Sequence, residues 1–397
     1  YQFPYLAHAC MEPMNCTAHY HRDTNSLDIW APTRQPGITL NVMESVFDIP
    51  KEQITLHQMR MGGSFGRRRF QDYSCEVTAI ARHFDVPVKL LWTREDDLMH
   101  DQYRPGGVYA FKGAVSREGR VVAMQNHLIG PSVRGSATNG TRVGRGEFPA
   151  LNIDHYRAAV SLIDTNTPSG AWRAPGSNSM GWAVQSFISE LANAAGRDNV
   201  ELLIEMIGEP RWFEEGSLGS LNTGRAVDVI KLAAEQSGWG KTLPEGRGMG
   251  FSFHFSHSAH VAEVAEVSVD VNRNVTIHKV TAAVDIGPVI NMSGALKQIE
   301  GGVLDGISSM LGLEITMQNG VVEQQNFHQY NILRMKNAAT VIDAHFIQSD
   351  NHPTGLGEPC LPPVASAVCN AIFAATGHRI RTLPITKEGF SVQSINS

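Results

Sequence analysis

Hydrophobic and polar residues alternate along several short stretches of the chain, as in strands that bury one face. This alternation occurs in residues 26–33 (SLDIWAPT), 53–61 (QITLHQMRM) and 87–93 (PVKLLWT). Residues 73–84 (YSCEVTAIARHF) instead repeat their apolar positions at helical spacing. A period of 2 predicts a strand and a period of 3.6 a helix. Because the two are interleaved, the pattern predicts an α+β fold with mixed sheets packed with helices.

Two longer segments predict helices with clear ends. Residues 181–196 and residues 365–377 each place apolar side chains on one helical face and end in glycine. The second segment also follows Pro362 and Pro363. Proline before a helix and glycine after it are typical boundaries, so the pattern predicts where both helices begin and end.

A polar, glycine-rich stretch at residues 209–248 indicates a boundary between two parts of the chain. We therefore predict a first domain over residues 1–208, a linker region over 209–248 and a second domain over 249–397. Within the second domain, residues 260–271 and 274–286 alternate as strands and are joined through NRN. That turn-forming sequence predicts a hairpin.

Composition excludes several classes of protein. The 397 residues are 42% hydrophobic, which is enough for a large core. The net charge is −6 and the basic residues are scattered apart from residues 67–69, so nucleic acid is not an expected partner. No apolar stretch approaches the ~20 residues of a membrane span. The five cysteines lack CxxC spacing, which predicts neither a disulfide framework nor a zinc or iron-sulfur site.

A glycine-rich segment, MGGSFGRRRF (residues 61–70), follows a predicted strand. Its glycines let backbone amides approach an anion closely, and its arginines add positive charge, which favours a phosphate-bearing or oxyanionic ligand. The segment lacks the GK[ST] ending of a Walker loop and the spacing of G-x-G-x-x-G. The alternative is a glycine-rich loop with a solvated basic run.

Two polar residues beside predicted helices are further candidates. Arg173 in GAWRAPGSNS precedes a helix N-terminus, where backbone amides and a guanidinium favour a negative group. Gln298 in LKQIEGGVLDGISS precedes a glycine pair, and its amide suits the polar edge of a heterocycle. The alternatives are a surface arginine near an ordinary helix cap and a glutamine that caps a helix.

Glu358 stands between glycines and prolines in an otherwise apolar stretch, TGLGEPCLPPV (residues 354–364). Apolar surroundings remove hydration from a carboxylate and raise its pKa, so such a group can act as a general base near neutral pH. The alternative is a solvent-facing glutamate at the positive end of the following helix dipole. The neighbouring Cys360 could be a hydrolase nucleophile, but the sequence identifies no histidine partner for it.

Histidines recur every third residue at His254, His257 and His260, which resembles the spacing of a metal site. In one extended strand, however, His254 and His257 would lie on opposite faces. A metal site is therefore the less favoured interpretation of these histidines.

Six ordered segments are more specific together than any one of them. They are YLAHACMEPMNCTA, RMGGSFGRR, NTPSGAWRAPGSNS, AAVDIGPVINMSGALKQIEGGVLDGISS, NFHQYNILRM and GLGEPCLPPVASAVCNAIFAATGHRIRTLPI. The chain resembles, nearly end to end, the molybdenum-binding large subunit of the xanthine dehydrogenase family. It is most similar to the branch of isoquinoline oxidoreductase β-subunits and membrane-linked aldehyde dehydrogenases. The resemblance implies that both predicted domains are molybdenum-cofactor-binding domains.

The resemblance assigns roles to individual residues. Glu358 matches a general base, and Phe65 with Gly66 matches a turn whose backbone lies against the metal's oxo ligand. Arg173 matches the arginine that holds the pterin, and Gln298 matches a glutamine that hydrogen-bonds the pterin. The other expected cofactor contacts are Gly63, Ser64, Arg67, Ala174 and Gly357. The metal is expected to be held through the pterin.

The implied reaction is oxidation of an aldehyde or an N-heteroaromatic substrate, by hydroxyl transfer from molybdenum and hydride transfer to its sulfido group. The expected cofactor is a molybdenum pterin, with molybdopterin cytosine dinucleotide as its form. Arg69 stands where the xanthine branch has a substrate-orienting glutamate, which argues against a purine substrate. No Gly-Gln-Gly segment occurs between residues 250 and 264, and YLAHA does not supply the apical glutamine of that branch.

These departures lead to the expected partners. Another chain, or sequence preceding Tyr1, would supply the remaining cofactor-binding elements. Iron-sulfur clusters are expected only in a separate small subunit, because no cysteine cluster here could hold them. A cytochrome c is a further candidate partner, and a periplasmic or membrane-associated complex is the expected location. The competing interpretation is a non-catalytic structural or assembly subunit of such a complex.

Overall fold

The computed structural model describes residues 1–144, 148–214, 217 and 219–392. Residues 215, 216 and 218 of the predicted linker and residues 393–397 of the predicted second domain lie outside the described residues. The strands are β1 Gln2–Phe3, β2 Asn15–His21, β3 Ser26–Ala31, β4 Ile54–Gln58, β5 Val88–Leu91, β6 Gly107–Val115, β7 Val121–Val133, β8 Ser136–Ala137, β9 His155–Asp164, β10 Arg247–Ser256, β11 Ala259–Val269, β12 Asn274–Asp285, β13 Met317–Gln318, β14 Val321–Val322, β15 Val341–Phe346 and β16 Ser391–Val392. The helices are α1 Pro36–Phe47, α2 Asp72–Ala81, α3 Arg94–Met99, α4 Ser177–Ala195, α5 Asn199–Ile207, α6 Thr223–Ser237, α7 Met292–Leu311 and α8 Pro362–Thr376.

The first mixed sheet has the strand order β4-β3-β2-β5. β3 pairs antiparallel with β2 and parallel with β4, and β5 runs antiparallel to β2. Cys16, Ala18 and Tyr20 of β2 are buried while their neighbours are less so, because successive side chains of a strand point to opposite faces. α2 packs against β2 and β5. The glycine-rich segment at residues 61–70 leaves this sheet after β4.

A second sheet has the order β1-β6-β7-β8, and β9 pairs parallel with β7. α4 packs against β6 and brings Trp182 and Ile188 into the main core. The predicted helix at residues 181–196 is confirmed, but it begins earlier because Gly176, at φ 78°, is its N-cap. The loop between β9 and α4 carries Arg173.

The third sheet has the order β10-β11-β12-β15, and β16 pairs parallel with β12. α8 packs on β10 and β11, and α6 packs on β11 and β12. A side chain at Gly250 would place its β-carbon 2.1 Å from the carbonyl oxygen of Ala367, so only glycine lets α8 approach the strand this closely. This contact fixes α8, and with it the preceding loop that carries Glu358.

The predicted elements are confirmed with somewhat different bounds. β3, β4 and β5 occupy the three stretches of alternating residues, and α2 occupies the stretch with helical spacing. The predicted hairpin is the antiparallel pair of β11 and β12. α8 begins at Pro362 rather than after Pro363, because a proline in the first turn loses only an N–H that has no helical partner.

The structure differs from the predicted linker at α6, which lies inside residues 209–248. Ala226, Val229 and Ile230 of this helix are buried in the same core as the third sheet. A helix with one buried face can be polar overall, so its composition resembled that of a linker. The division of the chain at residues 208 and 249 stays a prediction. Across the described part of the chain, no helix has the length and apolar character needed to cross a bilayer.

Candidate functional site

The carboxylate of Glu358 lies where separate elements of the fold meet. Its Oε1 accepts a hydrogen bond of 3.2 Å from the backbone N–H of Ala174, in the loop before α4. Its Oε2 lies 3.3 Å from Nε2 of His257, in the turn between β10 and β11. The side chain is 25% exposed, so it is partly open to solvent and held from two sides.

Arg173 ties this loop to α7 and to the segment that carries Glu358. Its Nε donates a hydrogen bond of 2.7 Å to the carbonyl oxygen of Gly357, and an Nη donates one of 2.6 Å to Asp305 on α7. The other Nη donates to the backbone carbonyl and side-chain oxygen of Gln298, each at 3.3 Å. Burial raises the pKa of Asp305 although Arg173 opposes that shift. The fold thus brings together Arg173, Gln298, Gly357 and Glu358.

The glycine-rich loop joins the same cluster through its backbone. The carbonyl oxygen of Phe65 accepts a hydrogen bond of 2.8 Å from the N–H of Arg173. A β-carbon at Gly66, where φ is 117°, would lie 1.7 Å from the carbonyl oxygen of Ala171, so no other residue fits there. Phe65 and Ala174 also have positive φ, at 50° and 57°. Such strain concentrates at functional sites.

The structure corrects the expectation for the basic run of this loop. Arg67 and Arg68 are fully buried instead of solvated or open to a ligand. The guanidinium of Arg67 donates two hydrogen bonds to Asp72, at 2.9 and 2.7 Å, and pairs with Asp101 at 3.0 Å. Its backbone N–H donates to the carbonyl oxygen of Ser64. Because its guanidinium and its backbone N–H are both bonded within the protein, Arg67 stabilises the loop and offers no free charge to a cofactor.

Arg68 has the same structural role. It donates to the carbonyl oxygen of Gly63 at 2.9 Å and pairs with Glu12 at 2.9 Å. Removing Glu12 would leave the buried charge of Arg68 without this partner, which is unfavourable. Only Arg69 of the basic run is exposed.

A buried histidine, which sequence reasoning missed, holds the loop before α4 in place. His8 bonds Asp101 through Nδ1 at 2.9 Å and the carbonyl oxygen of Ala171 through Nε2 at 2.8 Å. Burial alone would raise the pKa of Asp101, but His8 and Arg67 outweigh it and lower that pKa. The segment YLAHA contributed to the resemblance, but nothing local signalled a contact with residues so far along the chain.

The recurring histidines do not form a metal site. His254 and His260 lie in β10 and β11, whereas His257 occupies the turn between these strands, so the assumption of one extended strand was wrong. In the part of the chain that the structure describes, no group of three or more His, Cys, Asp and Glu residues could hold a metal ion. Of these histidines, His257 is the one that reaches Glu358.

Cys360 does not have the properties of a nucleophile. Its side chain is fully buried, and burial raises its pKa well above the ordinary value for a thiol. A thiol that stays protonated and shielded from substrate is inert. The hydrolase interpretation therefore has no support from the structure.

An apolar cavity of about 370 Å³ adjoins the cluster. Phe65 and Asp305 belong to both, and Trp172, Leu304 and Tyr330 also line the cavity. Glu358 does not line the cavity. Asp305 lines it and accepts a hydrogen bond from Arg173, which also bonds the backbone of Gly357 next to Glu358. A mostly apolar cavity with few polar groups is typical of a small-molecule site.

Comparison with known families gives the class of protein to which this fold and cluster belong. Residues 1–205 match the molybdopterin cofactor-binding domain family, and residues 183–339 match a second family of that description. The chain belongs to the molybdopterin cofactor-binding domain family. The predicted relation to large subunits of the xanthine dehydrogenase family is confirmed.

Individual relatives agree with this assignment. The chain is 27% identical to isoquinoline 1-oxidoreductase subunit beta of Brevundimonas diminuta, over 95% of this chain and 48% of the relative. It is 28% identical to the membrane-bound aldehyde dehydrogenase (pyrroloquinoline-quinone) of Gluconacetobacter polyoxogenes, over 96% of this chain and 52% of the relative. The chain therefore spans about half the length of these curated relatives.

Solved structures share the fold at low sequence identity. Quinoline 2-oxidoreductase from Pseudomonas putida 86 has a TM-score of 0.84 at 14% identity, covering 97% of this chain and 74% of that chain. Aldehyde oxidoreductase from Desulfovibrio gigas has a TM-score of 0.76 at 16% identity, covering 97% and 59%. These likenesses confirm the predicted α+β fold of the large-subunit type.

The residues at the site fit a bulky cofactor that approaches the backbone closely. The Oγ of Ser64 is buried and has no hydrogen-bond partner among the described residues. A β-carbon at Gly357 would meet only Oε1 of Gln298, at 3.7 Å, so open space lies beside Glu358. The ring of Phe65 is 40% exposed on its strained backbone. A molybdenum-pterin cofactor, as the family binds, is consistent with these features.

Proposed function

We propose that the chain is the catalytic, cofactor-binding part of a molybdenum hydroxylase large subunit that oxidises an aldehyde or an N-heteroaromatic compound. The observation that carries the proposal is the meeting of Glu358 with Phe65, Arg173 and Gln298, which come from separate loops and helices. The named functions of the curated relatives support these two substrate classes.

The cofactor, when bound, supplies the redox chemistry by accepting two electrons from the substrate carbon. Glu358 acts as general base, and its Oε2 takes the proton of the attacking hydroxyl. The N–H of Ala174 holds Oε1, which fixes the direction of the carboxylate. Because the base is oriented before the substrate arrives, no ordering of this side chain adds to the barrier.

The pterin would be held mainly by the backbone of residues 63–66 together with Arg173, Ala174, Gln298 and Gly357. Arg173 keeps these groups in register, since it bonds both Gly357 and Gln298. We propose molybdopterin cytosine dinucleotide as the cofactor, on the resemblance to the isoquinoline oxidoreductase branch. Release of CMP on phosphodiesterase treatment of the extracted cofactor would support this form, and its absence would exclude it.

The electrons require other polypeptides. The described chain has five free cysteines and no cluster of metal-binding residues suited to an iron-sulfur centre. We propose an iron-sulfur small subunit, with a cytochrome c as a further acceptor, in a periplasmic or membrane-associated complex. We also propose that another chain or segment completes the cofactor pocket. Copurification from fractionated cells tests each proposed partner and the compartment together.

Replacing Glu358 tests the proposed base. In Glu358→Gln, turnover is expected to fall ~10²-fold or more, the scale of lost general-base catalysis, while molybdenum and pterin content stay at the wild-type level. A matched control is Glu300→Gln on α7, since Glu300 pairs with Lys297 at the surface. Wild-type turnover in Glu358→Gln would remove Glu358 from this role.

The second candidate is a non-catalytic structural or assembly subunit, in which the glycine-rich loops only pack against a partner. Molybdenum analysis of the intact complex separates the two. About one molybdenum with one pterin per large chain supports the catalytic proposal, and their absence from an intact, active complex supports the structural one.

A further inference from the structure

His257 occupies the tip of the hairpin formed by β10 and β11. It and Ser258 have positive φ, at 52° and 64°, which makes a tight two-residue turn without glycine or asparagine. The turn places Nε2 of His257 3.3 Å from Oε2 of Glu358. The imidazole is 32% exposed, so it touches both the carboxylate and water.

The titratable and charged groups on the elements that carry this pair do not compete with it as proton acceptors. His254 in β10 is neutral, because burial lowers its pKa to about 4. The charge of Arg173 is compensated by Asp305 on α7. Burial raises the pKa of Cys360 and of Glu263 in β11 well above their ordinary values, which favours the protonated form of both.

Histidine is the side chain that ordinarily changes charge between pH 5 and 8. A carboxylate that collects a proton in each turnover must return it to solvent before the next one. Oε1 of Glu358 is held by a backbone N–H, which leaves the oxygen beside His257 as the exit side.

We propose that His257 is a positioning residue for Glu358 that also carries its proton to water. The inference rests on the proposed role of Glu358 as general base. The O–H bond at Oε2 breaks as an N–H bond forms at Nε2, and the imidazolium then releases the proton on Nδ1 to solvent. Proton exchange with water then moves the remaining N–H from Nε2 to Nδ1, which restores the starting tautomer. The net transfer is one proton, and no electrons pass through this route.

The first test measures the pH dependence of turnover in the complete, cofactor-loaded complex. His257→Gln and His257→Asn remove the titrating group, and asparagine also tolerates the positive φ of the turn. Both variants are expected to lose on the order of tenfold to 100-fold in kcat and one limb of the kcat–pH profile, with molybdenum content unchanged. Ser258→Asn changes the other residue of the same turn but keeps the imidazole, and is expected to keep the wild-type profile.

The second test does not depend on turnover. Diethylpyrocarbonate modifies a free imidazole nitrogen, so peptide mass spectrometry measures the rate at which His257 is modified in the intact complex. Glu358→Gln should change that rate severalfold, because the carboxylate that lies 3.3 Å from Nε2 is removed. The exposed His328 serves as the internal control and should keep its rate.

The outcomes separate this inference from the proposed function. An unchanged rate of His257 modification in Glu358→Gln, or an unchanged kcat–pH profile in both His257 variants, overturns the inference while the base assignment stands. Full turnover in Glu358→Gln overturns the base assignment itself. A loss of turnover in Ser258→Asn equal to that in His257→Asn would show that the turn, and not the imidazole, is responsible, and also overturns the inference.

Discussion

The Nε of Arg173 donates a hydrogen bond of 2.7 Å to the carbonyl oxygen of Gly357, across 184 residues of sequence. This contact holds the loop before α4 against the loop before α8. Since Ala174 and Glu358 follow directly in the two loops, the position of the carboxylate depends on Arg173.

Replacing Arg173 should empty the site. In Arg173→Ala we expect most molybdenum and pterin to be lost, because the side chain that joins Gly357, Gln298 and Asp305 is gone. Arg173→Lys should retain an intermediate amount, since an ammonium cannot reproduce the fork geometry. Metal and pterin analysis per chain measures both. Arg120→Ala, at an exposed turn, is the control, and full cofactor content in Arg173→Ala would contradict the assignment.

Gly66 should not tolerate a side chain. In Gly66→Ala we expect a lower apparent Tm and a parallel loss of molybdenum, because the β-carbon meets the backbone of Ala171 and the positive φ adds about 1–3 kcal/mol of strain. Thermal unfolding and metal analysis measure the two effects. Gly37→Ala is the matched control, since no atom lies within 4 Å of the added carbon. Equal Tm values for the two variants would show that the loop can shift.

We expect the cavity beside Phe65 to bind the substrate. Leu304→Trp fills part of it from α7, so KM should rise about tenfold or more, the scale of a ~1–3 kcal/mol overpacking penalty. Leu304→Met conserves volume and should change KM little. Steady-state kinetics on an N-heteroaromatic and an aldehyde substrate give the values. Loss of molybdenum in step with turnover would instead place cofactor in the cavity.

Glu263 should make stability depend on pH. Both of its oxygens are buried without a hydrogen-bond partner among the described residues, and burial raises its pKa well above the ordinary value. The folded protein therefore keeps a proton that the unfolded chain releases, so stability falls as pH rises above the unfolded pKa of about 4.3. We expect Glu263→Gln to raise the apparent Tm by about 2–4 °C at pH 8 and to have little effect at pH 4.

Glu266 on the same strand serves as a control, because its effect on stability should depend on pH in the opposite direction. Burial would raise its pKa, but Lys241 at 2.7 Å and Arg247 at 3.2 Å outweigh it and lower the pKa. Its contribution is present above the unfolded pKa and is lost as pH falls. Glu266→Gln should therefore lower the apparent Tm at pH 8. If both variants shift Tm in the same direction at pH 8, at least one of the two pKa directions is wrong.

Several site residues could be chosen from sequence because their surroundings are local. Glu358 stands out among glycines and prolines, and Gly66 follows a strand in a glycine-rich loop. Chain-wide resemblance then gave Arg173 and Gln298 their place in one site. Asp305 lies on the same helix as Gln298 and was missed, because its role appears only when Arg173 reaches it.

The sequence by itself determined the local elements, since the period of apolar residues and the position of glycine and proline act over a few residues. Only the tertiary structure decided which charges are free. In the sequence, the basic run of the glycine-rich loop resembles an anion site. In the structure, Asp72, Asp101 and Glu12 form ion pairs with two of its arginines. Likewise, a turn without glycine brought His257 to Glu358. The pairs of Arg67 with Asp101 and of Arg68 with Glu12 join residues distant along the chain, and their geometry exists only once the sheets and helices have packed.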